Sequence, residues 1–277
     1  MYRQDIWRFR NSNEYEIKYK GRYGAKGEKR SPRRKATREQ IKKQNQLKRE
    51  KDVRRIIKAN FNLNDLWVTL KYGEGERPHA SEVADDLRRF KNNMRLSYKN
   101  RGQMFKFIQR VEIGKHGGIH VHILVNRIRG EPATDELIMK FWNPKRPSGG
   151  MNLIPLYQKG DYKNLANYIV KEPDEEQYEQ LSLFPVEERK QLIRYSTSRN
   201  LIRPQPETKE YTRRTVRKII ENGIEPTLGF YIDEESVDIG INPYTGMSYI
   251  HYTELRIKPV FPEPIPTKMW KKRRNKP

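Results

Sequence analysis

Two histidines at alternate positions of a short apolar segment are the side chains best suited to chemistry in this sequence. They are His120 and His122, in the segment Ile-His-Val-His-Ile. Because side chains alternate along a strand, both imidazoles point to the same face. The glycine-rich residues 114–118 separate this segment from an earlier apolar one, which is typical of a β-hairpin. If those residues form the loop, Glu112 lies directly opposite His120 and joins the two imidazoles.

Two imidazoles and one carboxylate on a rigid hairpin suit a divalent metal ion that acts as a Lewis acid. The same residues also fit a polar strand face with two surface histidines, in which Glu112 pairs with Arg110. The hairpin residues by themselves leave both interpretations open.

A tyrosine and a lysine in a later segment form a second candidate group. The pattern predicts a helix over residues 162–171 that buries Leu165 and Ile169, with Tyr168 and Lys171 on an adjoining stripe. A tyrosine with a pKa near 10 is a poor nucleophile at neutral pH, so a nearby metal ion and lysine would help by favouring the phenolate. The alternative is that Tyr168 packs at the helix rim and Lys171 is a solvated cation at the helix C-terminus.

The elements around these residues predict the fold. Residues 66–72 form a β-branched and aromatic strand, and a helix capped by Ser81 follows, with apolar residues at spacings of four, three and four. The hairpin, a helix from Thr134, an extended segment and the tyrosine helix come next. The order β-α-β-β-α-β-α predicts an α+β fold with a mainly antiparallel sheet, helices packed on one face and the other face free for a ligand.

The charge is concentrated at the two ends of the chain. The 277 residues contain 58 Lys and Arg and 35 Asp and Glu, for a net charge of +23. We predict four segments: a basic N-terminal arm and helix (1–60, net +14), a central domain (61–205), a small α/β appendage (206–267) and a basic tail (268–277, net +6). The ends are expected to supply most of the salt-sensitive affinity for a polyanion such as nucleic acid.

Composition also excludes several kinds of site and predicts where the protein acts. There is no cysteine, which excludes disulfides, thiolate metal sites and thiol nucleophiles. Residues 172–188 contain seven Asp and Glu and no Lys or Arg, so we expect nucleic acid to avoid them. No apolar stretch is long enough to cross a bilayer. We therefore expect an intracellular protein without a membrane partner.

Taken in chain order, these motifs resemble the HUH endonuclease superfamily, in particular the rolling-circle replication initiators of plasmids and phages, including the gene II type of filamentous phages. The first family motif is similar to Trp67-Val68-Thr69-Leu70-Lys71, and the second to His120-Val121-His122 with Glu112 as the acidic ligand. The third is similar to Tyr168-Ile169-Val170-Lys171.

The resemblance implies an HUH nuclease domain over residues 61–205, in which His120, His122 and Glu112 bind Mg²⁺ or Mn²⁺. It implies that Tyr168, assisted by Lys171, cleaves one strand of origin DNA, forms a 5′-phosphotyrosine and later rejoins the ends. No phosphate-binding Gly-x-x-x-x-Gly-Lys-Ser/Thr loop is present. Strand separation would therefore fall to a helicase of the bacterial host, in whose cytoplasm the protein would meet the replication machinery. A relaxase, a single-strand transposase and a non-catalytic single-strand-binding protein are the alternatives.

Overall fold

A computed structural model describes residues 1–21, 37–114, 116–142, 150–156, 162–193, 195–242 and 246–260. Most of the predicted basic arm (residues 22–36) and the whole predicted basic tail (268–277) lie outside the described residues. The described helices include none with both the length and the apolar character needed to span a bilayer.

The described residues form strands and helices in mixed order. The strands are β1 (Tyr2–Arg8), β2 (Ser12–Tyr19), β3 (Leu66–Lys71), β4 (Phe107–Ile113), β5 (Ile119–Val125), β6 (Met151–Pro155), β7 (Tyr195–Thr197), β8 (Glu207–Tyr211), β9 (Phe230–Ile232), β10 (Asp238–Asn242) and β11 (Met247–Arg256). The helices are α1 (Arg38–Asn60), α2 (Ala80–Lys99), α3 (Thr134–Phe141), α4 (Lys163–Val170), α5 (Glu175–Ser182), α6 (Val186–Leu192) and α7 (Arg213–Asn222). The predicted α+β class with antiparallel sheets is confirmed.

The unit that carries the hairpin spans residues 60–201 and contains a five-stranded sheet in the order β6-β3-β5-β4-β7. Every neighbouring pair of strands is antiparallel. One face of the sheet is apolar because alternate residues of its strands are aliphatic or aromatic. These side chains share a core with α2 and α3: Val68, Leu70, Val111, Val121, Ile123, Leu87, Phe90, Met94 and Ile138.

Helix α2 buries the face that its sequence spacing predicts, which includes Leu87 and Met94. The predicted cap is wrong: the helix begins at Ala80, one residue before Ser81. The carboxylate of Glu82 instead accepts a hydrogen bond of 2.9 Å from the backbone N–H of His79. A glutamate at the third helical position can satisfy a backbone donor before the first turn, so a serine is not needed there.

The opposite face of the sheet carries polar and aromatic side chains and is not left free. Helix α4 lies against it, because the Arg110 guanidinium of β4 donates to backbone carbonyls at the end of that helix. Residues of α4 that are fully or almost fully buried, Ala166 and Ile169, mark its packed side. The predicted tyrosine helix is therefore the element that brings a side chain over the histidine face.

The acidic segment 172–188 forms structure that composition did not predict. It contains α5 and the start of α6, separated by a short turn. Asp174 caps α5, since its side chain accepts a hydrogen bond of 3.1 Å from the backbone N–H of Gln177. Acidic side chains in the first turn of each helix, Glu175 and Glu187 among them, favour the helix dipole.

The other unit combines Met1–Ala59 with Ile202–Val260. Its sheet has the order β10-β11-β2-β1-β8, with β9 also paired to β11. Residues 1–60, predicted as a basic arm and helix, thus contain two strands as well as α1. Their signal is hidden because charged residues alternate with the apolar ones that form the core, which includes Tyr2, Ile6, Tyr15 and Ile17.

A buried ion-pair network connects β2 with α1 inside this unit. Glu14, 2% exposed, accepts from Arg54 at 3.1 Å, from Arg55 at 2.8 Å and from Lys58 at 2.8 Å. Burial by itself would raise the pKa of Glu14, but the charges of Lys58 and Arg54 outweigh burial and hold it well below the ordinary value. Several cations that make the N-terminal segment basic therefore have a structural role.

Candidate active site

The hairpin has the register that the sequence predicts. Ile113 pairs with Ile119, and Glu112 lies directly opposite His120. The loop closes through a hydrogen bond of 2.8 Å from the backbone N–H of Gly114 to the carbonyl of Gly118. Within the loop, Gly117 has a φ of +77°, a conformation that favours glycine. The glycines thus set the loop length that places Glu112 and the histidines on one face.

His122 is held on three sides by neighbours on the same face. Its Nδ1 lies 3.1 Å from the hydroxyl of Thr69, and its Nε2 lies 3.0 Å from Oε2 of Glu112. The indole of Trp67 stacks on the imidazole with a centroid distance of 5.6 Å and an interplanar angle of 10°. The strand β3 therefore orients His122, with Thr69 and Trp67 as the side chains that do so.

Tyr168 of α4 points its hydroxyl into this cluster. The hydroxyl donates a hydrogen bond to Oε2 of Glu112 and lies 2.8 Å from Nε2 of His122. The ring meets the imidazole edge-on, with a centroid distance of 5.1 Å. The structure therefore brings together three of the five predicted site residues, Glu112, His122 and Tyr168.

Hydrogen bonding and burial set the charge of this cluster. Burial alone would raise the pKa of Glu112, but hydrogen bonds from His122, Tyr168 and Gln177 lower it to about 2. Burial raises the pKa of Tyr168 above its ordinary value, and the hydrogen bond and charge of Glu112 raise it further. The cluster as it stands contains a carboxylate beside a protonated phenol.

His120 and Lys171 lie outside the hydrogen-bonded cluster. The His120 ring is perpendicular to that of His122, with a centroid distance of 6.3 Å. Burial lowers the pKa of His120, as do the charges of His122 and Lys71, which favours the neutral imidazole. Lys171 follows the last residue of α4, and its ammonium lies 3.4 Å from the carboxylate of Asp174. The expected stripe of Tyr168 and Lys171 is interrupted because the helix ends between them.

A divalent metal ion would find two suitable ligand atoms here, Nε2 of His122 and Oε2 of Glu112. They lie 3.0 Å apart. Adjacent ligands of an octahedral ion are also about 3 Å apart when each metal–ligand distance is about 2.1 Å. Within the described part of the chain, no three His, Cys, Asp or Glu side chains are grouped to hold a metal ion. The donor atoms fit a divalent ion, with His120 as the ligand that would have to turn inward.

Arg110 fastens the tyrosine helix to the sheet. The guanidinium, on a residue only 3% exposed, donates to the carbonyls of Tyr168 at 2.9 Å and Ile169 at 3.1 Å, and also to the carbonyl of Lys171. The last carbonyls of a helix have no partner within the helix, and a cation is favoured there. Sequence reasoning gave Arg110 only a pairing with Glu112, since a contact to backbone carbonyls leaves no motif.

Replacement of Arg110 by methionine is expected to destabilise this unit by about 2–4 kcal/mol, because it leaves buried carbonyls without a donor. Chemical denaturation measures the loss, and hydrogen exchange of α4 amides shows whether the helix detaches. The matched control is Arg88→Met on α2, where the side chain is 70% exposed. Equal stability of the two variants would contradict the role given to Arg110.

Gln177 connects the acidic segment to the cluster. Its side-chain amide donates to Oε1 of Glu112 at 2.7 Å, and its own oxygen accepts from the backbone N–H of Asp174 at 3.2 Å. Gln177 is 8% exposed and lies on α5. With Oε1 held in this way, Oε2 of Glu112 is directed at His122 and Tyr168. The Asp-x-x-Gln spacing predicts a helix cap, but the contact with Glu112 depends on the tertiary fold.

Replacement of Gln177 by leucine is expected to lower activity at this site by about 10–100-fold, as is typical when a partner that orients a metal-binding carboxylate is lost. The affinity for Mn²⁺, measured by electron paramagnetic resonance, should fall in parallel. The control is Gln180→Leu, one turn further along α5, where the amide lies near Gly117. Unchanged Mn²⁺ affinity in Gln177→Leu would refute this positioning role.

Comparison with known proteins was made for the whole chain. No curated protein and no solved structure matches it. Residues 65–173 match the model of a protein family described as replication-associated protein, of the ORF2 and gene II protein type. The segment that carries Glu112, His122 and Tyr168 is therefore similar to the replication-associated proteins of that family, which is consistent with a rolling-circle replication initiator.

Proposed function

We propose that the protein is an HUH-type endonuclease that initiates rolling-circle replication by nicking and rejoining one strand of origin DNA. The observation that carries the proposal is the contact of the Tyr168 hydroxyl with both Glu112 and His122, within the segment similar to replication-associated proteins. A phenol placed against a carboxylate and an imidazole, on a helix fastened to the sheet, is a preorganised nucleophile.

In the proposed reaction Tyr168 Oη forms a bond to the phosphorus of the scissile phosphodiester, and the bond from phosphorus to the 3′ oxygen breaks. The phenol loses a proton and the 3′ oxygen gains one, so the products are a 5′-phosphotyrosine and a free 3′-hydroxyl. The reverse transesterification rejoins the strand. Because the energy of the phosphodiester is kept in the phosphotyrosine, rejoining needs no nucleotide cofactor.

The side chains around Tyr168 would have separate tasks. Arg110 and the packed face of α4 hold the tyrosine backbone, and Gln177 directs the carboxylate of Glu112. His120, His122 and Glu112 would hold Mg²⁺ or Mn²⁺, which supplies charge neutralisation at the scissile phosphate. Lys171, which is half-exposed, would contact the DNA backbone beside the reacting phosphate. A host helicase would separate the strands, since the sequence contains no phosphate-binding loop.

The test is incubation of the full chain with labelled single-stranded oligonucleotides that tile the replicon encoding it, with Mn²⁺ or Mg²⁺. The proposal expects a protein–DNA adduct that survives denaturant, whose tryptic peptide contains phosphorylated Tyr168. The adduct should be lost in the double variant His120→Ala/His122→Ala. Binding of the oligonucleotides without any adduct, in either metal, would overturn the nuclease proposal in favour of a binding protein.

A further inference from the structure

Helix α1 consists of an exposed N-terminal half and a packed C-terminal half. Residues 38–49 are exposed, apart from Gln46, which is half-buried. The C-terminal half of the helix differs: Val53 and Ile57 are 1% and 0% exposed and belong to the packed interior. A single helix thus has one half anchored in the unit and one half open to a partner.

This exposed half has little reason to exist as an isolated helix. A helical segment of about 12 residues is marginal in water without tertiary packing. Its two large apolar side chains, Ile41 and Leu47, are 47% and 52% exposed and do not form an apolar stripe. A membrane surface needs such a stripe, so the partner that fits this segment is polar and charged.

The charge of the segment identifies a polyanion. Residues 38–49 contain five Lys or Arg and one Glu, a net charge of +4. The cations of the C-terminal half instead meet carboxylates of β2 inside the unit: Arg54 and Arg55 contact Glu14, and Lys51 contacts Glu16. The exposed half therefore presents a concentrated positive charge at the surface, where an anionic partner can reach it.

Four side chains of this half lie along one stripe. At 100° per residue, Arg38, Lys42, Asn45 and Arg49 lie within about 60° of one another around the helix axis. Arginine recognises guanine and asparagine recognises adenine in the major groove of duplex DNA, whereas lysine and arginine both contact phosphates. The segment is about 18 Å long, and the major groove of B-form DNA is wide enough to admit a helix.

We propose that residues 38–49 of α1 bind in the major groove of duplex DNA, with Arg38, Lys42, Asn45 and Arg49 facing the base pairs and phosphates. This surface lies outside the segment similar to replication-associated proteins. The proposal uses the proposed function only in taking DNA as the nucleic acid, and it requires no nicking. The nuclease unit would act on a single strand while α1 holds the neighbouring duplex.

The first test compares two variants of the full chain that each lose three positive charges from one helical stripe. The test variant is Arg38→Ala/Lys42→Ala/Arg49→Ala, and the control is Arg88→Ala/Arg95→Ala/Lys99→Ala on exposed positions of α2. Alanine preserves helix propensity in both. Deletion of residues 1–60 is unsuitable, because it also removes β1 and β2.

Fluorescence anisotropy with B-form duplex DNA, over a range of salt concentrations, is the measurement. The test variant should bind at least about tenfold more weakly, and the slope of log affinity against log salt should fall by about 2 to 3. The α2 control should bind like the wild type. Both variants should retain affinity for single strands and, if the nuclease proposal holds, adduct formation. Equal loss in the two variants would mean that only total charge matters, and would overturn the proposal.

A second comparison tests the helix without changing any charge. Gln44→Pro breaks the exposed half of α1, whereas Gln44→Ala preserves it. The groove proposal expects duplex affinity to fall in the proline variant alone. Unchanged affinity of Gln44→Pro would mean that the segment acts as a flexible polycation. Equal affinity for A-form duplex RNA, whose major groove is too narrow for a helix, or for anionic vesicles would also refute it.

Discussion

The Tyr168→Phe protein is expected to form no covalent adduct with DNA, a loss of at least about 10⁴-fold, while it binds the same DNA as tightly as the wild type. The substitution removes one oxygen atom and keeps the ring that meets His122 edge-on and Trp67 at a centroid distance of 6.0 Å. Glu112 retains its contacts with His122 and Gln177. Stability should therefore change by only about 1 kcal/mol.

The measurement is denaturing gel electrophoresis of protein with end-labelled DNA, together with anisotropy for binding. Tyr162→Phe is the matched control, since Tyr162 precedes α4 by one residue and is the nearest other tyrosine along the chain. This control should form the adduct at the wild-type rate. An adduct in Tyr168→Phe and none in Tyr162→Phe would show that the nucleophile is the other tyrosine.

The Glu14→Gln protein is expected to lose about 3–5 kcal/mol of the free energy of unfolding of the unit that contains α1, since the buried charges of Arg54, Arg55 and Lys58 lose their common partner. The matched control is Glu210→Gln. Glu210 pairs with Lys20 at 2.8 Å, with side chains 48% and 55% exposed, so its loss should cost less than about 1 kcal/mol. Differential scanning calorimetry of both variants measures the difference.

The same network predicts how this unit responds to acid. Burial by itself would raise the pKa of Glu16, but Lys51 and Arg55 lower it from 4.5 to about 2. The folded state thus favours the ionised carboxylate, and the contribution of Glu16 to stability is complete above pH 4.5. It is lost as the pH falls from 4.5 toward 2. A melting temperature that does not fall over this range, or a Glu14→Gln protein as stable as its control, would contradict the network.

Much of the nuclease-like unit could be predicted from local pattern. Alternation placed His120 and His122 on one face, and the loop of residues 114–118 was short enough to set the register with Glu112, which the structure confirms. The spacing of apolar residues in α2 also identified its buried side. These predictions succeed because strand alternation, turn geometry and helix periodicity depend on residues near in sequence.

Features that depend on residues far apart in sequence could not be predicted. The strands β1 and β2 pair with β8 and β11 from the other end of the chain, so their alternating charges resembled an exposed arm. The contacts of Arg110 with α4 carbonyls and of Gln177 with Glu112 join residues about 60 positions apart. No periodicity encodes such contacts.

The sequence alone determined the residue types of the candidate site, the face they share and their order along the chain, because those follow from short-range geometry. The tertiary structure decided which of them meet. It placed Tyr168 against Glu112 and His122, left Lys171 beside Asp174, and divided the cations of α1 between a buried network and an exposed half. The reason is physical: burial and long-range pairing decide whether a charge is neutralised inside the fold or stays at the surface, where a partner can reach it.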